Sequence, residues 1–263
     1  QTLSPRERVT EVLMPTGVDS EWPLPTANKK YAAKEDIPVS EEHGKSTPLS
    51  IPPQSGRGLP SEKVKFTGLY VITDPSKLNA VEFARGAMEG GARIIQLREK
   101  DKGRALEIGK KLRVITREKG VLLIINDWVD VAKTIDADGV HLGQEDMPIR
   151  EARRLLSSDK IIGISTHNVN QALEAEMMGA NYVGIGAIYA TKTKDYGPIG
   201  PKVIEELRGK LSIPFVAIGG INENNIDEVL DAGARNIAMV SALTEAENLK
   251  EKIKFFIKKI GCD

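Results

Sequence analysis

Two carboxylates follow two neighbouring apolar runs. Val121 to Ile125 leads straight into Asn126 and Asp127, and the shorter run Gly139 to Leu142 delivers Asp146 just beyond it. Three cations stand at comparable places: Arg98 and Lys100 after the run RIIQL, and Lys194 in the segment ATKTK. A pair of carboxylates suits Mg2+, a hard ion that takes one or two protein carboxylates and completes its shell with phosphate oxygens and water. Three cations suit a multiply charged anion. Together they read as a cradle for a diphosphate with Mg2+. Each acid also has a plain structural reading, Asp127 as a cap for the following helix and Asp146 as a turn residue ahead of Pro148. Five charged groups converging on one rim favour the cradle. A second, smaller anion site is suggested by Gly219–Gly220 and Val240–Ser241, which close two later runs. Glycine lets backbone N–H groups come close to a ligand, and a helix N-terminus after either run would favour a monophosphate.

These residues need elements that end together. From Phe66 onward, apolar runs alternate with amphipathic stretches: GLYVITD, RIIQLRE, VLLIIND, GVHLG, KIIGIST, YVGIGAIY, PFVAIGG and NIAMVSAL are the runs. The stretches between them carry apolar residues at helical spacing, as in Ile204, Leu207 and Leu211. Several close on a glycine suited to a left-handed stop: Gly90, Gly120, Gly179 and Gly233. Parallel strands need crossovers, so strand–helix alternation implies a parallel sheet. Eight such units match an α/β fold of the (β/α)8 TIM-barrel type, whose reactive face lies at the C-terminal strand ends. An open doubly wound sheet is the alternative, but the first turn, TDPSKLNA, lacks the glycine-rich dinucleotide fingerprint. Period-two geometry predicts that Gln96, Arg98 and Lys100 all aim to one side, into the barrel mouth. Ser165, Thr166 and His167 end the fifth run, and no histidine pair has a zinc-like spacing. His141, inside the fourth run, reads as a satisfied core residue rather than a ligand.

The bulk numbers set limits. A formal net charge of +0 over 263 residues argues against a general nucleic-acid or membrane-surface role. The single cysteine, Cys262, cannot form an internal disulfide. No apolar run approaches the ~20 residues that span a bilayer, and no apolar signal segment follows Gln1, so the chain reads as cytoplasmic. Residues 1–60 are dense in Pro, Ser, Gly and charge, and form a polar extension of unassigned role with one short helix predicted after Ser4. Residues 61–263 form the barrel domain. Small molecules are the expected partners, and homo-oligomerisation stays open.

The segment 66–261 resembles the thiamine-phosphate synthase family through QLREK, IIND, GVHLGQED, GISTHN, ATKTK, AIGGI and MVSAL, in that order. Ala187 and Ala190 stand where the family often has proline. The resemblance implies a transferase. It would join 4-amino-2-methyl-5-(diphosphooxymethyl)pyrimidine to the nitrogen of 4-methyl-5-(2-phosphoethyl)thiazole and release pyrophosphate, through Mg-assisted dissociative displacement. It implies that Gln96, Arg98 and Lys100 bind the pyrimidine diphosphate beside Asn126, and that Asp127 and Asp146 hold Mg2+. Ser165 and Lys194 would touch the pyrimidine. Thr191, Lys192 and Thr193, with Gly220, Val240 and Ser241, would bind the thiazole phosphate. Arg98, Lys100, Lys194 and Ser165 would be the catalytic set. The loop TKTKDYGPIG, with Gly197 and Gly200 as hinges, is the expected lid. Two rivals remain at this point: a thiazole tautomerase, which would not need the metal and diphosphate residues, and a barrel that binds phosphate without catalysis.

Overall fold

The computed structural model describes residues 68–75, 79–191 and 197–261. Eight apolar runs form strands: β1 (Gly68–Ile72), β2 (Ile94–Leu97), β3 (Leu122–Asn126), β4 (Gly139–Leu142), β5 (Ile161–Thr166), β6 (Tyr182–Ile185), β7 (Phe215–Ile218) and β8 (Asn236–Met239). Each pairs in parallel with the next, and β8 returns to β1 with Val71 opposite Met239. The sheet is therefore closed, which excludes the open doubly wound alternative, since an open sheet keeps two unpaired edges. Between the strands lie α1 (Ala80–Glu89), α2 (Lys102–Lys119), α3 (Val129–Thr134), α4 (Ile149–Leu155), α5 (Val169–Met177), α6 (Lys202–Leu207) and α7 (Ile226–Asp231). After β8 come α8 (Ser241–Thr244) and α9 (Leu249–Ile260). Residues 1–60 and the helix expected after Ser4 lie outside the described residues.

Alternation along each strand divides the apolar residues into two cores. Leu69, Val71, Ile95, Leu97, Leu123 and Ile125 face outward and join the helix layer in one large cluster. Tyr70, Ile72, Ile94, Ile124, Tyr182, Val216 and Ala238 point the other way and fill the barrel. Successive strand residues face opposite sides, so extending the inner set by two reaches Gln96 from Ile94, Asn126 from Ile124, and Ser165 from Ile161 by way of Gly163. One parity thus fills the lower barrel with hydrocarbon and furnishes its mouth with polar groups.

Local signals fix where helices begin and end. Asn79 accepts from the Val81 and Glu82 N–H groups at the start of α1, and Asp101 accepts from Arg104 N–H at the start of α2. Such caps satisfy N–H groups that have no partner within the helix. Gly120 closes α2 in the left-handed region at φ 63°. One expected stop shifts: Gly90 ends α1 in right-handed geometry, and its neighbour Gly91 takes the left-handed position at φ 104°. The sixth run is also shorter than expected. β6 stops at Ile185, and the chain then runs beside the end of β7, with Ile188 and Tyr189 N–H donating to the Ile218 and Gly219 carbonyls. A Cβ on Gly219 would lie 2.5 Å from Ala187 Cα, so this approach requires glycine.

Candidate active site

A pocket opens at the C-terminal ends of the strands. Gln96, Arg98, Asn126 and Ser165 line one part of its wall, and Thr191, Gly220, Val240 and Ser241 line another. Its apolar lining comes from the barrel's inner core, including Ile72, Val216, Ile218 and Ala238. Eight of the expected site residues are thereby brought to one cavity. Lys192, Thr193 and Lys194 fall outside the described residues, as does half of the expected lid, residues 192–196.

Lys100 departs from the expectation. It is exposed and not on the pocket wall. β2 ends at Leu97, and the chain bends after Glu99. Period two holds only while the backbone is extended, so Gln96 and Arg98 share a side that Lys100 does not inherit. Glu99, nearly buried, anchors the bend: its carboxylate accepts from Asp101 N–H and its carbonyl accepts from Trp128 Nε1–H.

Asp127 and Asp146 also lie off the pocket wall, yet both are tied to the end of β4. Asp127 N–H donates to the His141 carbonyl at 2.9 Å, and Gly143 N–H donates to Asp146 Oδ2 at 2.8 Å. The two acids therefore flank one strand end, half-buried, on the same rim. The capping role weighed for Asp127 is not what it does: the α3 cap is Trp128, with no side-chain cap bond. Instead Asp127 sits in the left-handed region at φ 62°, uncommon outside glycine. Asp146 does close its loop, as the plain reading held, but with only one of its two carboxylate oxygens in the Gly143 bond. No cluster of three or more His, Cys, Asp or Glu side chains suited to a metal is present among the described residues. A site of two carboxylates fits Mg2+ completed by ligand phosphate and water better than it fits a fully protein-ligated metal.

Beneath the polar rim runs a chain of side chains that sequence reasoning missed. Gln96 Nε2–H donates to the Tyr70 hydroxyl at 2.9 Å, and Tyr70 and Tyr182 hydroxyls meet at 2.8 Å. The Tyr182 hydroxyl meets His141 Nδ1 at 2.8 Å, and His141 Nε2 meets Ser165 Oγ at 2.9 Å. Burial pushes both tyrosine hydroxyls well above the ordinary range, so both stay neutral at physiological pH. His141 is thus a satisfied residue, as expected, but it also forms part of the pocket wall. His167 lines the pocket too, with Nδ1–H donating to the Gly186 carbonyl at 2.6 Å. Space for the buried rings comes from glycine. Strand register sets Gly163 between His141 on β4 and Tyr182 on β6.

Comparison with known proteins places this geometry. The family model described as thiamine monophosphate synthase matches residues 69–243. The thiamine-phosphate synthase of Halalkalibacterium halodurans is 47% identical over 174 residues, 65% of this chain and 82% of that protein. That of Methanosarcina barkeri is 41% identical over 213 residues, covering 79% of this chain and 96% of its own length. Among solved structures, a thiamine phosphate pyrophosphorylase from Pyrococcus furiosus superposes with a TM-score of 0.69 at 44% identity. It covers 74% of this chain and 95% of its own.

Proposed function

The chain belongs to the thiamine monophosphate synthase family, and from that membership and its pocket we propose that it joins the pyrimidine diphosphate to the thiazole phosphate, releasing pyrophosphate and forming thiamine phosphate. The observation that carries this reading is the division of one cavity. Gln96, Arg98, Asn126 and Ser165 come to it from β2, β3 and β5, and Gly220, Val240 and Ser241 from the ends of β7 and β8, on a different arc of the barrel. Two anionic substrates can then meet over an apolar floor.

The chemistry proposed is a dissociative substitution. Electron release from the aminopyrimidine lets the diphosphate leave its CH2 carbon first, and the thiazole nitrogen attacks the resulting cation with its own lone pair. No general base is needed for that bond. The difficult moment is departure, when charge grows on the leaving oxygen. Arg98, on the pocket wall, meets that charge, and a donor already in place is most effective where water is excluded. Lys100, at the exposed edge of the rim, and Lys194 are assigned to the same anion, and Ser165 to the pyrimidine ring. Asp127 and Asp146 would hold Mg2+, which when bound would offset charge on the diphosphate. Ile72, Val216, Ile218 and Ala238 keep water from the cation between departure and attack. Thr191, Lys192 and Thr193 are assigned to the thiazole phosphate, and the 191–200 loop to closure over both substrates.

The experiment is direct. The protein is mixed with both phosphorylated substrates and Mg2+, and pyrophosphate and thiamine phosphate are quantified. Equimolar appearance of both supports the reading. Thiazole phosphate binding without any pyrophosphate release would leave a binding-only barrel.

A further inference from the structure

We propose that Tyr70, Tyr182 and His141 are positioning residues for this reaction: a line of hydrogen bonds, buried at the two tyrosines and part-buried at His141, that sets which way the Ser165 hydroxyl faces the substrate. The proposal rests on the function proposed above, because it takes Ser165 to touch the pyrimidine. The line runs from Gln96 through Tyr70, Tyr182 and His141 to Ser165 with links of 2.8–2.9 Å. It joins β2, β1, β6, β4 and β5 across the barrel interior. Tyr70 and Tyr182 are 2% and 0% exposed, so water does not compete for their hydroxyls.

Proton counting makes the line directional. A neutral imidazole donates at one nitrogen and accepts at the other. If Tyr182 donates to His141 Nδ1, then Nε2–H donates to Ser165 Oγ, and the serine hydrogen turns to the pocket. If Ser165 donates to Nε2 instead, Nδ1–H donates to Tyr182, Tyr182 donates onward to Tyr70, the Gln96 amide turns to accept from Tyr70 through Oε1, and Ser165 shows the pocket a lone pair. An aminopyrimidine carries both kinds of complementary group, an amino N–H and ring nitrogens that accept. The line can match either without creating a buried charge, whereas an isolated serine rotor would have to be ordered by the substrate alone. The barrel is shaped to hold it: a Cβ on Gly163 would fall 2.0 Å from Tyr182 Cζ, and one on Gly184 would fall 3.3 Å from His141 Cε1.

The test is a double-mutant cycle read as kcat/KM for pyrophosphate release. His141→Leu should lower it ~10–100-fold and Tyr182→Phe ~3–10-fold, the range expected for losing one or two links of such a chain. His141→Gln, whose amide reaches the Nε2 position, should recover part of the His141→Leu loss. In a Ser165→Ala background both His141→Leu and Tyr182→Phe should change the rate by less than ~2-fold, because residues acting through one partner are non-additive. Tyr182→Phe removes only an oxygen, so it decides the matter if His141→Leu fails to fold. Equal fold-losses with and without Ser165, or full activity in Tyr182→Phe, would overturn the proposal. If the unaltered protein releases no pyrophosphate, it is the functional reading that fails instead.

Discussion

Gly163→Ala is the smallest change that tests the barrel interior. The added methyl would lie 2.0 Å from Tyr182 Cζ, 2.2 Å from Cε1 and 2.4 Å from the hydroxyl oxygen. Carbon atoms settle near 3.5 Å, so ring and strand must separate by roughly 1.5 Å. Tyr182 is fully buried and cannot swing into solvent. Its hydroxyl also holds Tyr70 and His141, each at 2.8 Å, and a movement of that size breaks both bonds. Overpacking costs about 1–3 kcal/mol, and a buried hydroxyl left unpaired costs about 1–3 kcal/mol more. A loss of about 2–6 kcal/mol follows, which at about 2–4 °C per kcal/mol lowers Tm by roughly 4–24 °C for a domain of this size. Thermal and urea denaturation of Gly163→Ala, Tyr182→Ala and the double variant measure it. With the ring absent, the methyl has room, so Gly163→Ala should cost under about 0.5 kcal/mol in the Tyr182→Ala background. The same cost in both backgrounds would show that the clash with Tyr182 is not its origin, and the account of the barrel interior would be wrong.

Other outcomes follow from the rim and the surface. Asp127→Asn should keep the left-handed backbone, which Asn tolerates, and melt within about 0.5 kcal/mol of the unaltered protein. Its pyrophosphate release should nevertheless fall by ~100-fold or more through loss of the carboxylate charge. Thiazole phosphate binding, followed by calorimetry, should persist, and equal loss of both in a folded variant would break the division into two substrate sides. Asp136 is exposed and hydrogen-bonded by Lys160, with Arg117 alongside, and this pairing holds its carboxyl below the usual range. A depressed carboxyl stabilises the fold above the unfolded pKa and loses that contribution as pH falls through the folded one. Asp136→Asn should therefore cost under about 1 kcal/mol at pH 7, and its urea midpoint should begin to converge with that of the unaltered protein as pH falls below about 4, the gap closing once pH has passed through the lower folded value. A gap that does not narrow at all as pH falls below about 4 would assign the effect to something other than the ion pair.

What could be read from the chain and what could not divide along a physical line. Closed topology was legible because eight apolar runs, each followed by a helical period, leave few arrangements. Gln96, Asn126 and Ser165 were legible because each lies an even number of steps along its strand from an inner-core residue. Lys100 was not, because parity ends where β2 does, and the bend after Glu99 is held by bonds to Asp101 and to Trp128, from a different crossover. The stop of α1 moved by one residue for a similar reason: Gly90 and Gly91 offer the same freedom, and packing chooses between them. A Cβ on Gly90 would lie 2.9 Å from Ile253 Cβ on α9, a contact far away in sequence. Tyr182 and His141 were the least legible. Neither looks unusual within YVGIG or GVHLG. Their meeting depends on the registers His141–Gly163 and Gly163–Tyr182, fixed across three strands and two crossovers. A polar side chain on the inner face of such a barrel therefore carries information only jointly with its neighbours two strands away. A glycine at the intervening register position is the sequence mark that would have found this pair: it records where two large inner side chains must share one layer.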